Sequence, residues 1–202
     1  SELFSDIGAR PYNPHDGVSG AAFSLNGRTP VFQGFDGSAS IEAGRVAIFA
    51  EASEGDARSA SASFSLRPAA SVRVAFGSTY QRITRERDGS EFARTLLPRM
   101  QVEYQPTRAF FLRAIGEYRA ERRDALRDPA TGIPLRIGGT VSQRVDTNGA
   151  RIDLLASYQP TPGTVAFLGY GASLSEDESF SFRGLERQND GIFVKLAYLL
   201  RR

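Results

Sequence analysis

The sequence predicts an all-β fold, an antiparallel up-and-down transmembrane β-barrel of about ten strands, and three features of the pattern lead to it. Long runs alternate apolar and polar residues with a period of two, as β-strands do. Three runs close on a proline turn from which the next run starts at once, in FSLRPAASVRVAF, VEYQPTRAFFLRA and ASYQPTPGTVAFL. Longer polar loops follow the second run of each pair. Short periplasmic turns and longer extracellular loops are typical of such barrels.

The composition narrows the class of protein. The 202 residues include no cysteine, which excludes disulfides, thiolate metal sites and cysteine nucleophiles. The 25 basic and 23 acidic residues are scattered, and no basic block indicates nucleic-acid binding. No apolar run reaches the roughly 20 residues of a spanning helix, so only strands could cross a membrane.

The chain divides into a lead-in and one barrel domain. Residues 1–16 carry prolines, a glycine and no sustained period, and we interpret them as an irregular N-terminal lead-in. Residues 17–202 contain the strand-like segments and are of a length that one all-β domain can have. The chain starts at Ser1 without an initiator methionine or a signal-like leader, so we expect a processed protein or a piece of a longer one.

Ten strand candidates follow one another from residue 17 onward. The weaker ones are GVSGAAFSLN (17–26), VFQGFDGSASIEA (31–43), RVAIFAEAS (45–53) and SASASFSL (59–66). The clearer ones are 71–84, 95–104, 108–122, 150–159, 164–174 and 191–200. Counted back from the last strand, tight turns at 42–45, 68–70, 106–108 and 160–163 share one end of the barrel. The longer loops near 26–30, 54–58, 85–94, 122–149 and 175–190 share the other.

On the clearest strands one face is apolar and the other is charged. In 71–84, Val72 and Phe76 alternate with Arg73. A membrane barrel turns its apolar face to lipid and its polar face to the lumen, and a soluble barrel does the reverse. Mid-strand charges of both signs and tyrosines near strand ends favour the membrane arrangement. The orientation of the first three strands and of 164–174 stays open.

These patterns give two sets of candidate site residues. The candidate lumen-lining residues are Arg73, Gln81, Arg99, Gln101, Glu103, Arg113, Glu117, Arg119, Arg151, Asp153 and Lys195. The candidate lipid-facing residues, which include an aromatic girdle, are Phe76, Tyr80, Tyr104, Phe110, Tyr118, Tyr158 and Tyr198.

Three segments carry a family resemblance that spans the chain from about residue 68 to its end. They are RERDGSEFARTLLPRMQVEYQPTRAFFLRAIGEYRAERRDAL, LLASYQPTPGTVAFLGYGASL and RQNDGIFVKLAYLLRR. With these segments the chain resembles the barrel end of an uncharacterised bacterial outer-membrane family, in which a periplasmic domain similar to a family-9 carbohydrate-binding module precedes a C-terminal β-barrel. The resemblance implies a location in the bacterial outer membrane, the lipid bilayer as a partner, and a periplasmic domain or partner beside the barrel.

No residue pattern indicates catalysis, and we expect neither an enzyme nor a cofactor or metal. The single histidine, His15, lies in the lead-in, away from the strand end where a Ser-His-Asp site would need it. Glu117 and Glu121 resemble a glycosidase carboxylate pair, but charged strand residues explain them better. The segments RDPATGIP and SEDESF lack the spacing of a calcium loop.

The leading hypothesis is an outer-membrane β-barrel that acts as a narrow passive pore or as a membrane anchor. Inward arginines and glutamates would constrict the lumen of so small a barrel, so we expect a small and mildly anion-preferring conductance. One alternative is a soluble β-barrel that binds a small lipophilic ligand. Another is a barrel subunit that closes only with a partner chain. The pattern favours a monomer.

Overall fold

The structure is a computed structural model, and it describes residues 3–4, 21–30, 32–182 and 184–198. Three two-residue strands, β1 (Leu3–Phe4), β8 (Arg136–Ile137) and β9 (Thr140–Val141), form a small sheet in the order β1-β8-β9. Two residues of the predicted lead-in therefore form a strand, and the other residues of 1–16, His15 among them, lie outside the described residues. No helix in the described ranges is long and apolar enough to cross a membrane.

Nine longer strands make up most of the described chain. They are β2 (Ala22–Arg28), β3 (Phe35–Ile48), β4 (Ser53–Ala69), β5 (Val72–Arg85), β6 (Glu91–Tyr104), β7 (Phe110–Arg123), β10 (Val145–Thr161), β11 (Thr164–Glu176) and β12 (Glu186–Tyr198). All except β2 contain 13 to 17 residues. Strands of soluble proteins average about 5–6 residues, and about 9–11 suffice to cross a bilayer.

The nine long strands form one antiparallel sheet in the order β12-β11-β10-β7-β6-β5-β4-β3-β2. Each long strand pairs with the next long strand of the chain, so the fold is an up-and-down meander. The predicted all-β, antiparallel, up-and-down architecture is confirmed. Within the described residues the sheet is open, because β2 and β12 are its two edges and do not pair with each other.

Within the described residues the long strands number nine instead of about ten, because the candidates 31–43 and 45–53 both contribute to the single strand β3. The ladder between β3 and β4 runs unbroken across the predicted turn at 42–45, with Gly44 opposite Ala57. Glycine often marks a turn, but Gly44 serves a close approach of two strands. A Cβ at this position would lie 2.8 Å from the carbonyl oxygen of Ala21.

Because the described long strands number nine, some connections lie at the opposite end of the sheet from the one predicted. The turn end of the sheet holds the connections 29–34, 70–71, 105–109 and 162–163, and the loop end holds 49–52, 86–90, 124–144 and 177–185. The loop predicted at 54–58 therefore lies inside β4, and the loop predicted near 26–30 lies at the turn end. The three proline turns and the three longest predicted loops, 85–94, 122–149 and 175–190, lie at the ends where the pattern placed them.

The proline motifs share one backbone arrangement at the turn end. The residue before each proline donates its backbone N–H to the neighbouring connection at 2.7 Å, namely Arg67 to Gly34, Gln105 to Ser71 and Gln159 to Ala109. Pro68 and Pro160 follow these residues, where the ladders to the next strand shift register. Since proline has no N–H to donate, a strand accommodates it at such an irregularity. The motif thus places Pro68 and Pro160 at the irregular end of one strand, directly before the next strand starts.

Candidate functional site

The cross-strand register places apolar residues from all nine described long strands on one side of the sheet, the apolar face. Phe76 lies opposite Phe64 on one side and Met100 on the other, and Met100 lies opposite Gly116, whose other partner is Ile152. The rings of Phe64 and Phe76 stack with their centroids 5.1 Å apart. Because cross-strand partners point to the same side, the strands share one continuous apolar face.

The seven predicted lipid-facing residues all lie on this face. Tyr104, Phe110, Tyr158 and Tyr198 lie towards the turn end, Tyr80 and Tyr118 lie towards the loop end, and Phe76 lies between the two groups. The segment 164–174, whose orientation the pattern left open, places Leu168 and Tyr170 on the apolar face. In the first strands, Leu25 and Ile41 lie there as well.

Much of the apolar face is exposed. Leu25 is 60%, Met100 51% and Leu196 77% accessible to solvent. On β5 the uncharged stretch of this face runs from Val72 to Tyr80, which is about 26 Å along the strand. Membrane barrels carry an apolar band of about 25 Å in height. A contiguous exposed face of this size marks a surface that contacts lipid or another protein.

One predicted lipid-facing residue needs correction. Tyr118 lies on the apolar face but is only 7% exposed, because the ring of Phe182 covers it with the centroids 4.3 Å apart. Phe182 belongs to the loop 177–185, which folds back over the loop end of this face. The Asn148 amide holds the loop by donating to the carbonyl oxygens of Glu178 and Ser181, each at 2.7 Å. Protein rather than lipid therefore surrounds this tyrosine.

The eleven predicted lumen-lining residues all lie on the opposite side of the sheet, the polar face. Their charges alternate across strands. Arg73, Glu103 and Arg113 form one row, and Arg99, Glu117 and Arg151 form another. Opposite charges on facing positions stabilise neighbouring strands.

Ion pairs and side-chain hydrogen bonds link members of this set to one another and, in the case of Arg119, to Glu121. Arg99 lies 4.0 Å from Glu117, Arg151 lies 2.9 Å from Asp153, and Arg119 lies 3.0 Å from Glu121. Gln101 donates to Glu103 at 2.8 Å. Glu117 and Glu121 are therefore each paired with an arginine, and they line the polar face as charged strand residues.

A serine ladder on the same face was missed by the sequence analysis. Ser38 and Ser63 share a hydroxyl hydrogen bond of 2.9 Å, and Ser40 and Ser61 share one of 2.7 Å. The alternation of serine with apolar residues in 59–66 could have predicted that serines line the polar face of this strand. It shows that the polar face continues, without charge, onto β3 and β4.

Cavities lie along the polar face. Three cavities of about 440 to 810 Å³ in the described part of the chain are lined mainly by residues of this face. The largest of them, about 810 Å³, is lined by Arg113, Arg151, Asp153 and Asn189 among others. A further cavity of about 540 Å³ lies at the turn end, where the connections 29–34, 70–71 and 105–109 contribute much of its lining.

A buried ion pair ties a loop across the polar face at the loop end. The Arg85 side chain is 3% and the Glu51 side chain 1% exposed. Arg85 donates two hydrogen bonds to Glu51, at 2.8 Å from Nε and 2.6 Å from Nη2. It also donates to Asp124 at 3.0 Å and to the carbonyl oxygen of Ala125 at 2.8 Å. Since Arg85 projects from the polar face, the start of the loop 124–144 crosses that face.

The crossing loop has its own small core. Glu51 accepts a third hydrogen bond from the backbone N–H of Arg127 at 2.9 Å. Leu126 and Leu135 are buried, and the N–H of Leu135 donates to the carbonyl of Leu126 at 2.7 Å. The loop 124–144 is therefore a packed element that narrows access to the polar face from the loop end.

The loop charges pair locally rather than converging on a site. Hydrogen bonds from Arg87 and from Ser90 hold the pKa of the Asp88 carboxyl well below its ordinary value. Within the described residues, no group of three or more histidine, cysteine, aspartate or glutamate side chains could hold a metal ion.

Compared with known proteins, the chain matches no protein-family model, no curated protein and no solved structure.

Proposed function

We propose that this protein is a β-barrel of the bacterial outer membrane that acts as a narrow passive pore. The observation that carries the proposal is that one exposed, continuous apolar face and one charged face lie on opposite sides of strands that are long enough to cross a bilayer. In water the apolar face would remain exposed, whereas in a bilayer hydrocarbon covers it and the charged face lines an aqueous interior. The family resemblance of the sequence from residue 68 onward agrees with this location.

The polar face predicts the properties of the pore. Its basic residues outnumber the acidic ones in the predicted lumen-lining set, so anions should pass more readily than cations. The cross-strand ion pairs and the packed loop 124–144 reduce the space for water, so the conductance should be small. Planar-bilayer recording of the purified chain tests both properties, and a strongly cation-selective current would contradict the assignment of the lumen.

Membrane anchoring is a second candidate function, which one specific observation favours. The buried pair of Arg85 and Glu51 holds a loop across the polar face, and such a loop would close a barrel of this size. The resemblance implies a periplasmic domain that an anchor would hold at the membrane. A barrel that inserts into bilayers and stays silent in recordings would favour this second function.

Two neighbouring leucines test which face meets lipid. Leu154 lies on the apolar face opposite Tyr170, and Leu155 lies on the polar face opposite Gly169. In the proposed orientation, Leu154→Arg costs about 2–4 kcal/mol of insertion free energy, as for a charge at the bilayer midplane. Leu155→Arg adds one more charge to the polar face and should be tolerated.

The measurement is the fraction of each variant that folds into phosphatidylcholine vesicles and floats with them on a density gradient. We expect the parent chain and Leu155→Arg to float and Leu154→Arg to be largely lost. In a soluble barrel Leu154 would be an interior position and Leu155 a surface one, so the parent chain separates the two models: a soluble barrel would stay monodisperse without detergent and would not float with the vesicles. A parent chain that does not float would therefore overturn the proposed function, and loss of Leu155→Arg with retention of Leu154→Arg would overturn the assignment of the lipid-facing side.

A further inference from the structure

Four arginines form a row on the apolar face where it meets the loop end. Arg58 lies opposite Arg82, Arg82 opposite Arg94, and Arg94 opposite Arg122. We call these four residues the arginine row. The adjacent row on the side of the turn end contains Ala60, Tyr80, Leu96 and Ala120. The arginine row therefore lies at the border between the apolar surface and the polar loops.

The protein neutralises this row incompletely. Like charges on facing strand positions repel one another, so the row needs anions. Glu91 is shared by Arg82 at 2.9 Å and Arg94 at 2.5 Å. Asp146 is likewise shared by Arg122 and Arg144, at 2.9 and 2.5 Å. Each of these two carboxylates thus faces two guanidinium groups.

The first half of the row is the most open to an external anion. Arg58 is exposed and has no carboxylate within ion-pair distance among the described residues. The Arg82 side chain is 44% exposed. The nearby acids Glu54 and Glu86 lie nearer the loops and pair with Arg45, at 3.8 and 2.9 Å. Asp56 also faces Arg45, from the opposite strand position. Arg58 and Arg82 therefore present guanidinium groups to whatever surrounds this face.

The second half of the row is held in position by a loop. The guanidinium groups of Arg94 and Arg122 lie 5.1 and 5.7 Å from the ring centroid of Phe180. A cation that stacks on an aromatic ring at such distances is stabilised and oriented by it. The loop 177–185 therefore fixes one end of the row, and the other end stays free to bind.

We propose that the arginine row binds the phosphate groups of phosphorylated membrane lipids in the leaflet at the loop end. This inference rests on the proposed membrane barrel. In that setting, a basic row next to an apolar band lies at the depth of the lipid headgroups. The planar guanidinium group matches two phosphate oxygens at once, which makes arginine a better phosphate ligand than lysine. The lipid would supply the anions that the row lacks.

The test compares two double variants that remove the same charge. Arg58→Gln with Arg82→Gln alters the open half of the row, and Arg28→Gln with Arg108→Gln is the control at the turn end. Each purified chain is titrated in detergent with diphosphorylated lipid A, and bound lipid is counted by mass spectrometry of the intact complex. We expect the row variant to bind lipid A about 30-fold more weakly, since each arginine near an anionic surface contributes about fivefold. The control should bind like the parent, and phosphatidylcholine should show no difference between variants.

Insertion into neutral phosphatidylcholine vesicles separates failure of this inference from failure of the barrel. If the parent chain does not insert, both the proposed function and the lipid site are overturned. If all chains insert and the row variant binds lipid A as tightly as the parent, the lipid site alone is overturned. Equal weakening of the control would also overturn it, because the effect would then be one of net charge. Displacement of lipid A by equimolar inorganic phosphate would assign the row to free phosphate instead.

Discussion

At the scale of single residues, the wall of the polar face depends on a close contact between a glycine and an aromatic ring. Gly169 in β11 lies opposite Phe193 in β12. A Cβ at Gly169 would lie 2.0 Å from Cε1 of Phe193, so the ring occupies the space of the missing side chain. The glycine therefore lets an aromatic ring lie flat on this side of the sheet and smooths the wall of the largest cavity, which Phe193 helps to line.

We expect Gly169→Ala to destabilise the protein by about 1–3 kcal/mol, because the added methyl group displaces the Phe193 ring. Gly77→Ala is the matched control, since Gly77 also lies on the polar face and a Cβ there would meet its nearest atom at 4.0 Å. Urea unfolding in detergent micelles gives the free energy of unfolding of each variant. Equal stability of the two variants would mean that the ring moves aside without cost.

At the scale of elements, the link between the turn 49–52 and the loop 124–144 depends on one buried arginine. We expect Arg85→Ala to cost about 3–5 kcal/mol, because Glu51 would remain buried without its partner. The same change should free the loop, so limited proteolysis should cut 124–144 sooner and the conductance of a pore should rise. Arg108→Ala, at an exposed position in the turn-end connection 105–109, should alter neither. Unchanged proteolysis of Arg85→Ala would show that Leu126 and Leu135 hold the loop without the ion pair.

The faces of the strands could be predicted from the sequence because alternation is local. The alternation within its own strand is enough to assign a residue such as Arg113 or Leu154 to one face. The cross-strand register then places the equivalent faces of neighbouring strands on the same side of the sheet. Gly44 misled the strand count, since glycine serves tight turns and close strand contacts equally well. The burial of Tyr118 and of Arg85 could not be predicted from the sequence, because each depends on a loop that is distant in sequence and has no periodic pattern.

At the scale of the whole molecule, the number of strands bears on how a barrel could close. Nine described strands in a meander leave β2 and β12 running in the same direction, from the loop end to the turn end. Bacterial single-chain barrels have an even number of antiparallel strands, so direct pairing of these two edges would be a parallel exception. Unpaired edges of this length also invite pairing with another chain.

We expect a closed monomer in which β2 and β12 form that parallel ladder, because an open edge in hydrocarbon leaves backbone groups without partners. Cysteine pairs that combine position 23 or 25 of β2 with position 192 or 194 of β12 test it, on a chain that has no natural cysteine. After oxidation in detergent, at least one pair should give a monomer with altered mobility on a denaturing gel, reversed by reductant. Since Phe23 and Leu25 lie on the same face as Ile192 and Val194, the side chains have the common orientation that a disulfide requires. A covalent dimer from every pair, with no cross-linked monomer, would contradict closure within one chain and show that the two edges pair between copies.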